Sequence, residues 1–333
     1  DFLFGGSLVR PDLLGEEARL GLARQLLHSL QHRIASLPDW LQVLPGHGAG
    51  SLCGAGLGER PETTLGYERA TNPFFRLPEA DFVHQILASV PPMPDYYPRM
   101  KQLNAQGAPP FETLPPPAAF TPAELATQLA ARPEITLLDL RRPEAFGGAH
   151  IPGSINIGAG QNLSLWAGWL LAPTHSIVLI TDSGDDPASR RALARVGLDN
   201  VPGFLAAGMT AWIAAGLNFA RIPQQTVAEV DQLRTQPSTQ PLIPSPLILD
   251  VRSDQERLTG SIPGSHHLML GNLPAALGSL PDTLPRDRPI VTVCGSGYRS
   301  SIAASLLARA AFPQVSSMAG GMTAWNAQKL PLE

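Results

Sequence analysis

Cysteine is nearly absent from this chain, which has only Cys53 and Cys294 in 333 residues. Two cysteines cannot build the disulfide framework of a small secreted fold, and their scarcity points to a reducing, cytoplasmic setting. Charge of one sign is also lacking. Lys and Arg total 24 against 28 Asp and Glu, for a net charge of -4. With no Lys/Arg cluster interleaved with aromatics, that balance argues against nucleic-acid and membrane-surface partners. Long apolar runs are missing as well. The longest, LSLWAGWLLA (163–172), is about half of a membrane span and ends at Pro173. No signal-peptide pattern is visible. Proline (34) and glycine (31) are plentiful, as expected of many turns and linkers.

At this length two or three domains are expected, and the chain repeats itself. TPAEL (121–125) returns as TVAEV (226–230), and LLDLR (137–141) as LILDVR (247–252). HIPGS (150–154) returns as SIPGS (261–265), SIVLIT (176–181) as PIVTVC (289–294), and GMTAW (208–212) as GMTAW (321–325). Two copies of one domain, 117–221 and 222–333, therefore follow a different region, 1–116. In each copy short apolar runs read as buried parallel strands. SRRALARVG and RSSIAASLLARAA have helical spacing. Alternating strands and helices predict an α/β fold with a parallel sheet and helices on both faces. In the first region, 16–37 and 79–90 are predicted helical, and the proline-rich stretch from 91 to 120 reads as a stiff interdomain spacer.

Parallel α/β sheets present ligand sites at the carboxyl ends of their strands. Cys294 stands at such an end, between PIVTV and a loop leading into a helix near Arg299. Gly295 and Gly297 let the backbone turn so that successive N–H groups face inward. Such a nest, with a helix N-terminus behind it, favours an anion, a thiolate sulfur included. Arg299 adds a fixed forked cation, and Ser296, Ser300 and Ser301 add hydroxyl donors. Tyr298 completes the loop.

The CGSGYRS loop, the DVRS…E…SIPGS segment and the closing GGMTAW resemble a rhodanese (sulfurtransferase) domain. The resemblance implies that Cys294 takes up a sulfane sulfur as a persulfide and passes it to a thiophilic acceptor. The backbone N–H groups of 295–299 would cradle that sulfur, and Arg299 would close the loop. Thiosulfate, glutathione persulfide or similar thiols would be the partners, and no cofactor is needed. Asp250 and Arg252 match the family's DxR turn, and Glu256 its acidic position; Ser261 stands where the family usually has histidine. Cysteine phosphatases, a rival reading, place five residues between cysteine and arginine, whereas four intervene here. A small buried structural cysteine is the other alternative.

The first copy keeps Asp139, Arg141, HIPGS and GMTAW, but Thr181 falls in register with Cys294. Asp182, Asp185 and Asp186 follow it and would repel a thiolate or sulfite. This copy resembles an inactive rhodanese domain kept for packing or docking; a cation-binding acidic loop is the alternative.

In 1–116, DFLFGGSLVRPDLLG, LPGHGAGSLCG and ERPETTLGYERATNPFF, with the later PDYYPRMKQLNAQG, resemble the C-terminal half of a metallo-β-lactamase-fold αββα sandwich. More narrowly they are similar to the persulfide dioxygenase branch found fused to rhodanese domains. That resemblance implies iron in the intact N-terminal domain, with Asp1 and His47 at metal-site positions. It also implies a structural Arg10–Asp12 pair, a structural Cys53, and Tyr67 and Arg69 either facing a thiol or packing. The family's HxHxDH motif is absent from this sequence, so the metal site is incomplete. Truncation ahead of Asp1 is the expectation, and dioxygenase activity is expected only with the missing half. Two other functions stay open: a non-enzymatic persulfide-sensing or docking module, and a metallo-β-lactamase-fold hydrolase. A homodimer is left open as the assembly.

Overall fold

The structure, a computed structural model, describes residues 1–47, 60–90, 92–182, 184–235, 245–279 and 284–333, so Cys53 lies outside the described residues. The chain divides into two compact units, Asp1–Met93 and Pro94–Glu333.

The first unit contains two small antiparallel hairpins, β1 (Leu3–Phe4) with β2 (Ser7–Leu8) and β3 (Gln42–Val43) with β4 (Thr63–Thr64). Among the described residues α1 (Glu16–Ser29), α2 (Leu65–Thr71) and α3 (Glu79–Ala88) accompany them. The helix predicted over 16–37 is regular only to Ser29 and continues as a π-helical turn, Leu30–Ile34. Ala23, Leu27, Phe82 and Ile86 recur at helical spacing and meet Leu3, Leu8 and Phe74 in one apolar core.

In the second unit the stretch from 94 to 116 differs from the spacer expected of it. It forms α4 (Tyr97–Gln106) and packs on the first copy. The Tyr96 ring lies against Gly168, and Met100 and Leu103 against Gly197, where a side chain would fill the contact. Arg99 donates to the Val196 carbonyl. Proline discourages helix around this segment, yet Pro98 sits in the first turn of α4, where its missing N–H has no helical partner to lose.

The first copy runs β5 (Ala118–Phe120), α5 (Pro122–Ala131), β6 (Thr136–Asp139), α6 (Pro143–Gly148), β7 (Ile155–Asn156), α7 (Leu163–Leu170), β8 (Ile177–Ile180), α8 (Pro187–Ala194), β9 (Gly203–Leu205) and α9 (Gly208–Ala214). The second runs β10 (Gln224–Gln225), α10 (Val227–Thr235), β11 (Leu247–Asp250), α11 (Asp254–Arg257), β12 (His266–His267), α12 (Leu273–Ser279), β13 (Ile290–Val293), α13 (Tyr298–Arg309), β14 (Val315–Met318) and α14 (Gly321–Ala327). Both sheets are entirely parallel and share one strand order, β5-β9-β8-β6-β7 and β10-β14-β13-β11-β12. The α/β reading with helices on both faces therefore holds for each copy.

Successive residues of the central strands serve opposite faces, as pleating requires. In the first copy Leu137, Val178 and Ile180 meet Leu125 of α5 and Trp212 of α9, while Leu138, Ile177 and Leu179 meet Leu163 and Trp166 of α7. Copy two does the same with Ile248, Val291 and Val293 against Val230 and Trp325. Its other face shares a single core with copy one, running from Leu138 and Trp166 to Leu249, Ile302 and Leu307. The apolar run 163–172 is thus a core helix. Full burial of each such side chain contributes about 1.5–3 kcal/mol. Among the described residues no helix is long and apolar enough to cross a membrane.

The repeated sequence phrases are local devices. TPAEL opens α5 as a capping box: Thr121 accepts from the Glu124 N–H, and the Glu124 carboxylate accepts from the Thr121 N–H. TVAEV repeats it with Thr226 and Glu229. In GMTAW the leading glycine has φ +55° at Gly321 and +59° at Gly208. A Cβ at Gly321 would lie 2.6 Å from the Gly295 carbonyl carbon, and one at Gly208 would lie 2.5 Å from the Thr181 carbonyl oxygen. The closing helix can approach the loop after the central strand only through glycine.

Candidate active site

Cys294 follows the last residue of β13, at the carboxyl edge of the second sheet, and α13 starts four residues later at Tyr298. Its side chain is fully buried. The Gly297 N–H donates to Sγ at 3.2 Å, and the Cys294 S–H points to Ser300 Oγ at 3.7 Å. Gly297, at φ +105°, caps α13 in a conformation that side chains rarely adopt. Ser300 Oγ donates to the Gly297 carbonyl at 2.9 Å and accepts from Ser317 Oγ at 2.9 Å. The loop is gripped from beneath by α14, where Met322 N–H donates to the Cys294 carbonyl at 2.8 Å and Thr323 N–H to the Gly295 carbonyl at 2.9 Å. Thr323 Oγ1 donates to the same Gly295 carbonyl at 2.9 Å.

Arg299 passes beside the loop; a Cβ on Gly295 would lie 3.3 Å from its Nη2. It is held by a two-pronged pair with Glu256, at 2.6 Å from Nη1 and 2.5 Å from Nη2. Glu256 also closes the capping box of α11, accepting from the N–H and Oγ of Ser253, both at 3.0 Å. Burial opposes ionisation of Glu256, but the hydrogen bonds and charge of Arg299, joined by Ser253, outweigh it and hold its carboxyl down to about 2. Burial likewise opposes the charge on Arg299, and Glu256, followed by Cys294 and Asp250, raises it again.

A folded-state value below the unfolded one means that Glu256 contributes stability above about pH 4.5, and that the contribution drains away as pH falls towards 2. We expect Glu256→Gln to flatten the stability profile between pH 5 and pH 2, measured by urea unfolding at each pH. An unchanged slope would show that the pair does not couple to folding.

Asp250 and Arg252 form a buried bidentate pair, 2.7 Å from Nη2 to Oδ2 and 3.0 Å from Nε to Oδ1. Arg252 also donates to the Gly260 carbonyl at 2.9 Å. Asp139 and Arg141 repeat the pair in copy one. Ser261, at the histidine position, accepts from Arg257 at 3.0 Å. His150, its counterpart, stacks on Phe146 with centroids 4.0 Å apart and contacts the Phe146 carbonyl, so it is a packing residue. Burial, the larger influence, lowers its pKa.

Copy one has the same loop closure in oxygen. Thr181 follows β8 as Cys294 follows β13, and the Gly184 N–H donates to Thr181 Oγ1 at 2.8 Å. The carboxylates expected there are engaged: Asp186 caps α8 through the N–H and Oγ of Ser189, and Asp185 pairs with Arg190 at 3.5 Å. Asp182 instead lines a cleft of about 420 Å³ between the two copies, shared with Arg141, Arg142, Ser296, Gly297 and Tyr298.

In the first unit Asp1 and His47 are brought together, with His47 Nδ1 2.9 Å from Asp1 Oδ1 but not aligned as a hydrogen bond. Gly46 of PGHG lets them meet, because a Cβ there would collide with Asp1 Oδ1. Among the described residues no three His, Cys, Asp or Glu side chains converge as metal ligands. A single carboxylate and a single imidazole do not fit an iron site. Arg10 and Asp12 form a bidentate pair at 2.6 and 2.7 Å. Arg69 is spent on structure, pairing with Asp39 and donating to the Ile34, Ala35 and Leu37 carbonyls. Tyr67 is exposed beneath the Arg60 guanidinium.

Ser317, Thr323 and Asn156 were not singled out in the sequence. A polar pair inside the strand VSSM was the available signal for Ser317, since serine in a fully buried parallel strand needs a partner.

The sequence matches the rhodanese-like domain family over residues 121–215 and again over 226–328. The chain belongs to that family. It is 34% identical over 84 residues to the putative sulfurtransferase YtwF of Bacillus subtilis (strain 168), a match covering 25% of this chain and 77% of the relative. It is 38% identical over 81 residues to the thiosulfate sulfurtransferase GlpE of Pseudoalteromonas translucida (strain TAC 125), covering 24% of this chain and 73% of the relative. Among solved structures it is similar to a metallo-beta-lactamase from Staphylococcus aureus subsp. aureus COL, with 32% identity and a TM-score of 0.49, over 62% of this chain and 55% of that one.

Proposed function

We propose that this protein is a sulfurtransferase that carries sulfane sulfur on Cys294. The observation that carries the reading is the Gly297 N–H directed at Sγ from the head of α13, at the carboxyl end of a central parallel strand. A helix N-terminus and an inward N–H stabilise anionic sulfur. The sulfurtransferase names of the relatives agree with it.

In the proposed reaction the Cys294 thiolate attacks the outer sulfur of thiosulfate. The sulfur–sulfur bond breaks, sulfite leaves with its electron pair, and a Cys294 persulfide anion remains. An acceptor such as cyanide or a thiol then attacks the outer sulfur and the thiolate is released. Arg299, fixed by Glu256, supplies positive charge next to the loop throughout. Copy one, with Thr181 in the cysteine's place, is non-catalytic.

For the first unit we infer a persulfide dioxygenase origin from its sequence segments. Glutathione persulfide would then be a natural shared substrate in the cytoplasm. Iron would need donors beyond Asp1 and His47, and no step of the transfer passes through it.

Incubation with thiosulfate and cyanide is expected to give thiocyanate, and thiosulfate alone a +32 Da adduct on the Cys294 peptide. Absence of both products would refute the reading. An adduct without turnover would favour a persulfide-sensing module.

A further inference from the structure

The reactive helix leans on the copy that lacks the cysteine. Along α13, Tyr298 Oη donates to the Gly158 carbonyl at 2.8 Å, and Ser301 Oγ donates to Asn156 Oδ1 at 2.6 Å. One turn on, Ser305 Oγ accepts from the Asn156 N–H at 3.1 Å, and at the end of the helix Arg309 donates to the Gly153 carbonyl at 2.9 Å. The three partner residues, Gly153, Asn156 and Gly158, belong to the short segment around β7, the edge strand of the first sheet. Burial pushes the Tyr298 phenol up, so it remains a neutral donor.

Asn156 is the centre of this contact. It is buried, and its Nδ2 donates to the carbonyls of Asp139 at 3.0 Å and Arg141 at 2.9 Å. Those two donor bonds fix which way the amide points and leave Oδ1 for Ser301. A continuous path of hydrogen bonds thus runs from the Asp139–Arg141 turn of copy one through Asn156 to Ser301, on the helix whose cap, Gly297, holds Sγ. Such a path holds a loop in one geometry because each member is satisfied only there.

We propose that the cysteine-less copy positions the sulfur-carrying loop, with Asn156 and the Tyr298–Gly158 latch as its positioning residues. The proposal deepens the sulfurtransferase reading and rests on it. Its physical content is that the latch keeps the loop closed with its N–H group aimed at Sγ, at the expense of access to a fully buried sulfur.

Two substitutions test it. Tyr298→Phe removes a single hydroxyl from a half-buried ring. Asn156→Asp keeps the shape and sets an oxygen against two carbonyl oxygens. At 25 °C, in protein with native near-UV circular dichroism, kcat for thiosulfate and cyanide is expected to fall about fivefold for Tyr298→Phe and about tenfold or more for Asn156→Asp. KM for thiosulfate should stay within about twofold. Iodoacetamide alkylation of Cys294, read by peptide mass spectrometry to separate it from Cys53, should accelerate at least about threefold, because a loosened loop exposes Sγ. If Asn156→Asp does not fold, Tyr298→Phe decides alone. Wild-type values of both rates overturn the proposal, and so does a lower Tm with both rates unchanged, which is what a merely stabilising contact gives. Absence of turnover in the unaltered protein would sink the sulfurtransferase reading, while alkylation would still report on the latch.

Discussion

Cys294→Ser is expected to lower thiosulfate-dependent thiocyanate formation by about a thousandfold or more, to the rate of the uncatalysed mixture. The size of the effect follows from the chemistry. A serine hydroxyl is not ionised at neutral pH and is a poor nucleophile towards sulfur, and it cannot hold a persulfide. No neighbouring group can substitute. Ser300 Oγ, 3.7 Å from Sγ, already donates to the Gly297 carbonyl. Copy one offers Thr181, whose Oγ1 is closed in its own loop by the Gly184 N–H. Serine is smaller than cysteine and can accept the same Gly297 N–H, so the fold should survive. Thiocyanate release above about one per cent of the unaltered rate, with native circular dichroism, would place the sulfur elsewhere in the chain.

Asp250→Ala carries the largest expected loss of stability, about 3–5 kcal/mol. Asp250 is 1% exposed and bonds both the guanidinium and the backbone N–H of Arg252, itself 4% exposed. Removing the carboxylate strands a buried cation whose remaining partners are the carbonyls of Glu256 and Gly260. Those oxygens accept its hydrogen bonds but do not cancel its charge. Urea unfolding should show the loss as a shifted midpoint. The shared core between the copies makes one transition for Pro94–Glu333 the expected behaviour. Asp139→Ala should produce a loss of similar size from the other copy, because the same pair is built there. A loss under about 1 kcal/mol in either variant would mean that water reaches the arginine.

Much of the fold was legible because its signals are local. A capping box is written within four residues, as in Thr121–Glu124, and its repetition at Thr226–Glu229 announces a second copy. Apolar runs such as LLDL and LILD, buried on both faces, read as central parallel strands. The proline-rich stretch from 91 to 120 reads as a spacer because prolines are a local signal, whereas the packing of its helix α4 against Gly168 and Gly197 is not.

By itself the sequence determined that two copies of one domain are present and that Cys294 follows an apolar strand and precedes a glycine-bearing turn and a helix. It also determined that Thr181 occupies that place in the first copy. Each of these depends on residue type and near-neighbour spacing. Only the tertiary structure decided which groups meet the loop. Glu256 reaches Arg299 across 43 residues and Asn156 reaches Ser301 across 145. Such pairs arise where two sheets and their helices share a core, and a hydrogen bond has a partner only once both ends have been carried to the same place. The contact of the cysteine-less copy's edge strand with α13 exists only in the tertiary structure, which joins residues 140 and more positions apart.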